Sequence, residues 1–575
     1  MKKLLKYLKG YEKETVFGPL FKLLEASFEL IIPLVMAHII DVGIRNSDVS
    51  YVLSMCIVMI GLGLTGFICS VTAQYFAAKA AVGFATSLRR DLFRHILGLS
   101  YQEIDTLGTS TMTTRMTSDL NQVQNAVNMS LRLFLRSPFI VFGAMIMAFT
   151  IDVKCAFVFV VVIPLLFLVV FAIILLSMPL YKKVQKKLDE VLLLTKENLE
   201  GARVIRAFNR QKEEKQRFTD TSSELMKRQL FVGKISALMN PVTYILINFA
   251  LLLLIWQGGT GVDTGRITQG EVVALVNYMS QILVELIKLA NLIVSLSKAI
   301  ACGNRISDLL EVESSMQEGN RKVPVRSDYA VEFDDVTLSY AGAKESSLSH
   351  LSVKAKPGET IGIIGGTGSG KSTLVQLIPR FYDASDGQIR VFGQDVQDYS
   401  YEELRSLIGV VPQKAVLFAG TIRDNMCWGK EDATDEEIWE ALELAQAKDF
   451  VLGKKDGLDT ILEQGGRNLS GGQRQRLTIA RALVRKPKIL ILDDSASALD
   501  YATEASLREA LAHMDKKLST WIVSQRASGI LHADKIIVLE DGEVAGIGTH
   551  KELLEQCGVY QEIYYSQFPK EGETA

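Results

Sequence analysis

The sequence predicts a multidomain chain: an all-α region of six transmembrane helices, extended into the cytoplasm, followed by an α/β domain. Three observations predict it. Hydrophobic residues make up 48% of 575 residues and mean hydropathy is +0.19, high beside 22% charged residues, and the apolar content is concentrated before about residue 300. Six segments in that part have the roughly 20 mostly apolar residues needed to cross a bilayer. Beyond about residue 328, short apolar strands alternate with helices, the order of a parallel sheet. The length itself exceeds the roughly 250–300 residues that a single core supports. Net charge is −2, so nothing in the electrostatics calls for a nucleic-acid partner, and none is expected.

The first 15 residues interleave Lys2, Lys3, Lys6, Lys9 and Lys13 with Leu4, Leu5, Leu8 and Tyr11. A signal peptide would separate its basic and apolar stretches. The interleaving instead suits a short amphipathic segment on an anionic membrane surface. The transmembrane domain is expected over 16–312, with spans at about 16–40, 52–75, 131–151, 155–178, 237–258 and 271–297. Its fourth span carries no charge; its first carries Lys22, Glu25 and Glu29, and its sixth Glu285 and Lys288.

Loop charge sets the expected topology. Residues 41–51 and 259–270 hold one basic residue each, Arg45 and Arg266, whereas 179–236 hold fourteen. The positive-inside bias therefore puts both termini and both long loops in the cytoplasm of a cell membrane, a bacterial cytoplasmic membrane in this reading. Those loops lack proline between Pro33 and Pro138 and between Pro179 and Pro241. Proline breaks helices, so spans two to five can continue about 35–40 Å beyond the bilayer at 1.5 Å per residue.

The six cysteines, Cys56, Cys69, Cys155, Cys302, Cys427 and Cys557, show no CxxC pair and no metal-ligand spacing. Free thiols are expected.

A linker is expected at 313–328 and the α/β domain at 329–575. Within it, a strand ends at Ile364, Gly365-Gly366-Thr367-Gly368-Ser369-Gly370-Lys371-Ser372 follows, with Thr373 counted in the same binding segment, and a helix comes after. This is the P-loop pattern GxxxxGK[ST]: glycines let backbone N–H groups wrap a phosphate chain, and the helix N-terminus adds a favourable field. Lys371 would meet the β- and γ-phosphates of ATP and Ser372 would ligate Mg²⁺. After Lys488 the aliphatic run 489–492 ends in Asp493, describing a buried parallel strand that delivers a carboxylate to the same metal. Between them, Leu469-Ser470-Gly471-Gly472-Gln473 opens another helix and forms a second anion-binding turn.

With P-loop, acid strand and LSGGQ in place, the chain resembles an ATP-binding cassette (ABC) transporter of the exporter type along nearly its whole length. The resemblance implies an α/β P-loop nucleotide-binding domain that uses ATP and Mg²⁺. It implies that Tyr340 stacks on adenine, that Gln413 touches Mg²⁺, and that Glu463 contacts membrane-domain loops. Ser497 to Asp500 would cross between paired cassettes, and residues near 103–115 and 200–212 would be the two cytoplasmic coupling helices. In the family the P-loop of one cassette faces the LSGGQ of another, so a second half-transporter is implied as partner, beside the lipid bilayer and a small amphipathic substrate.

Two positions depart from the family pattern. The catalytic glutamate expected after Asp493 is Asp494, and the histidine expected in the loop near 525 is Gln525. A carboxylate shorter by one methylene misplaces its oxygen by about 1 Å, which can cost roughly 10²-fold in rate. Glutamine can hydrogen-bond a γ-phosphate but cannot carry histidine's charge. Both changes touch hydrolysis and neither touches binding. The expectation is a heterodimer, with a homodimer as the alternative, in which hydrolysis proceeds at the site built on the partner's Walker motifs. That assembly would export drugs, lipids or peptides by alternating access. A lipid flippase, an importer with the exporter fold and an ATP-gated regulatory subunit are the competing functions. Glu25, Glu29 and Glu285 are candidates for attracting cationic substrates, against the plainer reading that they pair with Lys22 and Lys288 to fix packing.

Overall fold

The structure, a computed structural model, describes residues 2–320, 327–514 and 518–568. It divides into two units, Met1–Leu97 with Ser110–Val312, and Gly98–Thr109 with Glu313–Ala575. Of the linker expected at 313–328, residues 321–326 lie outside the described residues.

In the first unit, among the described residues, six helices are long and apolar enough to cross a membrane: Glu12–Ile44, Val49–Leu97, Thr109–Ile151, Val153–Glu200, Gln211–Asp263 and Gln269–Leu310. Each predicted apolar segment lies within one of them. At 33 to 53 residues they measure about 50–80 Å, far more than a hydrocarbon core of about 30 Å. The fifth is built from Gln211–Ala237 and Met239–Asp263, joined at Leu238.

Small residues let these helices approach. Ala73, Ala77, Ala80 and Ala81 of the second helix are fully buried, and a Cβ on Gly18 of the first would meet the Ala77 backbone at 3.5 Å. Ala26, Leu30, Ala144, Phe159, Leu254 and Tyr278 build one core from five of the helices. The opposite surface is apolar too: Leu53, Ile57, Ile60, Phe67 and Ile68 all face outward. Such a surface is stable only against lipid. At one end, Asp41 accepts hydrogen bonds from the Gly270 N–H at 2.9 Å and the Thr268 hydroxyl at 2.5 Å, capping the sixth helix with the end of the first. The N-terminal segment is helical over Lys2–Leu8, with Leu4 and Tyr7 buried and Tyr7 edge-on to Phe84.

The second unit is built on strands β1 (Val331–Leu338), β2 (Leu348–Ala355), β3 (Thr360–Gly365), β4 (Asp386–Val391), β5 (Gln394–Asp395), β6 (Ile408–Val411), β7 (Gly420–Thr421), β8 (Ile461–Leu462), β9 (Ile489–Asp493), β10 (Ser519–Val523), β11 (Lys535–Glu540) and β12 (Glu543–Gly548). A six-stranded sheet has the order β12-β11-β3-β10-β9-β6, parallel except for β12, and a four-stranded antiparallel sheet has the order β2-β1-β4-β5. All five residues of β9 are buried, which is why its sequence is an unbroken aliphatic run rather than an alternation. The parallel order brings the C-terminal ends of β3, β10 and β9 side by side, the position where open α/β sheets bind ligands.

Candidate functional site

β3 runs buried from Ile361 to Gly365 and then turns sharply. A Cβ on Gly365 would meet the Leu539 carbonyl at 2.1 Å, and Gly368 and Gly370 hold φ of +86° and +91°, so no other residue fits this turn without strain. Gly366 has open space where its Cβ would be, leaving its backbone free to approach a ligand. The helix Lys371–Leu377 starts directly from Gly370 and aims its N-terminal field at the same spot. Lys371 folds back over the turn, donating to the carbonyls of Gly365 at 2.9 Å and Gly366 at 2.5 Å. Burial pulls its ammonium below the usual lysine range, against the opposing pull of Asp494 and Asp493. A phosphate chain offers that ammonium better acceptors than two backbone carbonyls.

Ser372 donates to Asp493 Oδ1 at 2.8 Å. Burial raises the Asp493 carboxyl above the usual aspartate range; the Ser372 bond opposes this and the Asp494 charge adds to it. A buried carboxylate beside a hydroxyl, with the Gln413 amide bonded to the neighbouring Asp494, suits Mg²⁺, which takes one or two protein carboxylates and completes its shell with phosphate oxygens and water. Among the described residues no group of three His, Cys, Asp or Glu could hold a metal unaided. The acids here depend on the phosphate.

The residue after Asp493 sits in a constrained place. Asp494 has φ +44°, donates its N–H to the Val523 carbonyl at 3.0 Å, and accepts from Gln413 Nε2 at 3.2 Å. The structure thus gathers Lys371, Ser372, Gln413, Asp493 and Asp494 at one corner. Tyr340 reaches it from β1: its hydroxyl lies 3.1 Å from Thr373 Oγ1, and its ring stands edge-on to Tyr382 at 5.1 Å. Gln525 follows β10, whose Val523 pairs with both Ile363 and Asp493; its side chain is exposed.

The LSGGQ turn is well made but separate. Ser470 caps the helix Gly471–Val484 in a reciprocal box with Gln473, at 3.3 Å and 3.1 Å. A Cβ on Gly472 would crowd the Ala498 carbonyl at 3.2 Å, and Gly471 is open. Leu469 anchors the turn in a core with Leu477, Ile479 and Leu483, whereas the P-loop helix packs through Leu374, Val375 and Leu377 in another. Among the described residues, no hydrogen bond of Ser470 or Gln473 reaches 365–373. Asp500 caps the helix Tyr501–Ala512, accepting from Thr503 N–H at 2.9 Å and its hydroxyl at 2.8 Å; those bonds hold its carboxyl below the usual range. Glu463 is exposed.

The two elbows expected to couple the domains differ. Gly98–Thr109 belongs with the second unit: Tyr101 packs on Phe381 with centroids 4.7 Å apart, Tyr382 donates to Asp105 at 2.6 Å, and Glu103 accepts from the Ser315 N–H at 3.3 Å. The helix Ala202–Ala207 buries no residue, and Val204 and Phe208 are exposed.

The membrane carboxylates are joined by a residue that sequence reasoning passed over. Arg136 of the third helix donates to Glu285 and to Glu29, each at 2.6 Å; Glu285 also accepts from Ser137 and Lys288 at 2.8 Å. Lys22 pairs with Glu25 at 2.5 Å and reaches Ser70 at 3.1 Å. At 1.5 Å per residue, Glu29, Arg136 and Glu285 each stand about 22–24 Å from the helix ends Ile44, Ile151 and Gln269, a common depth. The signal for Arg136 was available: an arginine within an apolar segment needs an acid, and two other segments supplied acids.

Comparison with known proteins agrees with this geometry. Residues 15–286 match the family described as ABC transporter transmembrane region, and residues 348–497 match the family described as ABC transporter. The chain is 40% identical to an uncharacterized ABC transporter ATP-binding protein, YfiB, of Bacillus subtilis (strain 168), over 100% of both chains. It is 30% identical to an ATP-dependent lipid A-core flippase of Yersinia pestis, covering 97% of this chain and 96% of that one. The fold matches the structure of a bacterial Atm1-family ABC exporter with ATP bound, with TM-score 0.80 over 98% of this chain and 99% of that one, at 22% identity.

Proposed function

The chain belongs to the ABC transporter family, as an exporter-type half-transporter with ATP hydrolysis coupled to transport, and on that premise we propose that it is the hydrolysis-impaired half of a heterodimeric exporter of amphipathic compounds. The observation that carries this reading is Asp494. Its backbone is fixed in the left-handed region by the bond to Val523, and its short side chain is drawn to Gln413. A carboxylate so held, one methylene short of glutamate, is poorly placed to align a water on a γ-phosphate.

The residues divide the work. Backbone N–H groups of 365–373 cradle the β- and γ-phosphates while Lys371 swings from the carbonyls of Gly365 and Gly366 onto them. Ser372, Asp493 and Gln413 would hold Mg²⁺, which neutralises charge on the phosphate oxygens. Tyr340 presents its ring to adenine. Gln525 donates a hydrogen bond toward the γ-phosphate without taking a proton. The intact Ser470–Gln473 turn completes the partner's site, where hydrolysis runs.

Two features support a partner. The P-loop and LSGGQ rest on separate cores, and Val204 and Phe208 of the second elbow are exposed apolar residues. Nucleotide between paired cassettes draws them together, and the long helices carry that closure to the bilayer as alternating access. The positive-inside bias of the loops favours both termini in the cytoplasm. We read Glu25, Glu29 and Glu285 as packing ion pairs rather than substrate ligands, because each is already matched by Lys22, Arg136 or Lys288. Dye efflux by Glu285→Ala tests this, a narrowed substrate range favouring the ligand role instead.

A lipid as the substrate is the second reading, favoured by the likeness to a relative named as a lipid A-core flippase. Headgroup-labelled lipid translocation in vesicles, compared with dye efflux from the same vesicles, separates the two. For the central proposal, the test is nucleotide fate in the assembled complex: ATP retained uncleaved on this chain's P-loop supports it, and ADP recovered there at the partner's rate sinks it.

A further inference from the structure

The helix Gly558–Gln567 ends on a glutamine whose amide is used at both ends. Gln567 Nε2 donates to the Gln525 carbonyl at 2.9 Å, and Gln567 Oε1 accepts from the Ala527 N–H at 2.8 Å. Both partners are backbone groups of the loop that follows β10. The loop's other polar contacts are internal, lead back to the sheet, or reach the helix Tyr501–Ala512, where Arg508 donates to the Ser528 carbonyl at 3.2 Å and Glu504 lies 4.0 Å from Arg526. Arg526 N–H donates to Ser524 Oγ at 2.9 Å, that hydroxyl donates to the Arg526 carbonyl at 2.8 Å, and Ser524 N–H donates to the Ile363 carbonyl at 3.1 Å. The entry to the loop is therefore stitched to the strand that carries the P-loop. Its exit is stitched to Gln567.

The helix behind Gln567 is itself anchored. Tyr560 is fully buried in a cluster with Ile364, the penultimate residue of β3, and with Ala527 and Ile530 of the same loop region. The C-terminal helix thus packs beneath both phosphate-facing turns, and its last residue fixes the backbone of one of them. The Gln525 side chain is left exposed, its direction set by the backbone that Gln567 brackets.

We propose that Gln567 is a positioning residue for nucleotide recognition: by clamping the carbonyl of residue 525 and the N–H of residue 527, it holds the Gln525 side chain at the γ-phosphate. It touches no nucleotide and acts only through the loop. The proposal rests on the reading of Gln525 as a γ-phosphate ligand, and its consequence is specific, since ADP lacks the group that Gln525 meets. A clamp that sets this loop changes ATP affinity and leaves ADP affinity alone.

The test measures binding of ATP and of ADP to the full chain in lipid nanodiscs, using a fluorescent nucleotide displaced by each. Gln567→Ala is expected to weaken ATP about 5-fold with ADP unchanged. Gln567→Glu keeps the acceptor for Ala527 and loses the donor to Gln525, and it moves the ratio in the same direction. Gln525→Ala gives a similar loss, and the double variant loses no more than the single ones, as residues acting as a unit do. If Gln525→Ala leaves the ATP-to-ADP ratio unchanged, the underlying reading of Gln525 fails and takes the proposal with it. If Gln525→Ala shifts the ratio but neither Gln567 variant does, or if they weaken ATP and ADP together, Gln567 has only a structural role and the proposal is overturned.

Discussion

The nucleotide corner turns on single groups whose protonation and reach are set by burial. Asp493 has a folded-state pKa above its unfolded value because burial disfavours the carboxylate. The sign follows from linkage. Its penalty is absent below the unfolded pKa, grows as pH rises toward the folded pKa, and is fully present above it. Asp493→Asn is therefore expected to raise the thermal midpoint of the nucleotide-free chain. It should also abolish the extra stabilisation by Mg²⁺ over that from ATP alone, and differential scanning measures both. Asp494→Glu restores the missing methylene, so hydrolysis at this chain's site is expected to rise about 10-fold or more. A rate unchanged by that substitution would show that side-chain length is not what limits cleavage.

Elements decide which of these groups meet. The first elbow holds to its cassette through the Tyr101–Phe381 packing and the Tyr382–Asp105 hydrogen bond. Tyr382→Phe removes that bond at a cost of about 1 kcal/mol, and nucleotide affinity is expected to stay while substrate-stimulated ATPase falls about 5-fold. The membrane helices carry a heavier dependence. Arg136→Met takes the shortest partner from Glu285, which is 3% exposed, and leaves it Ser137 and Lys288; breaking a buried pair from one side costs up to about 3–5 kcal/mol. Loss of folded protein in detergent is expected, with partial recovery in Arg136→Met/Glu285→Leu, measured by monodisperse yield. The sequence made the P-loop, the acid strand and the LSGGQ turn legible because each is a local pattern whose residues act within a few positions of one another. Arg136 was legible as an arginine in an apolar segment that needs an acid, but which acids it meets was not, since pairing across helices is a tertiary fact. Nor could spacing tell that Gln413 leans on Asp494, or that one elbow is seated while the other is bare.

At the scale of the molecule, six helices far longer than a bilayer is thick and a cassette with two half-sites on separate cores describe a machine assembled from two chains. The apolar outer surface and the unbroken helices were readable from composition and from the missing prolines. The sorting of residues 98–109 with the cassette rather than with their sequence neighbours was not, because it depends on side chains more than 200 positions apart. The central claim is that this chain's own P-loop holds ATP and barely cleaves it. The most direct measurement is ATP binding and ATPase activity of the purified chain alone in lipid nanodiscs. The account predicts saturable ATP retention with negligible turnover, raised by Asp494→Glu; rapid phosphate release by the unaltered chain on its own would contradict it.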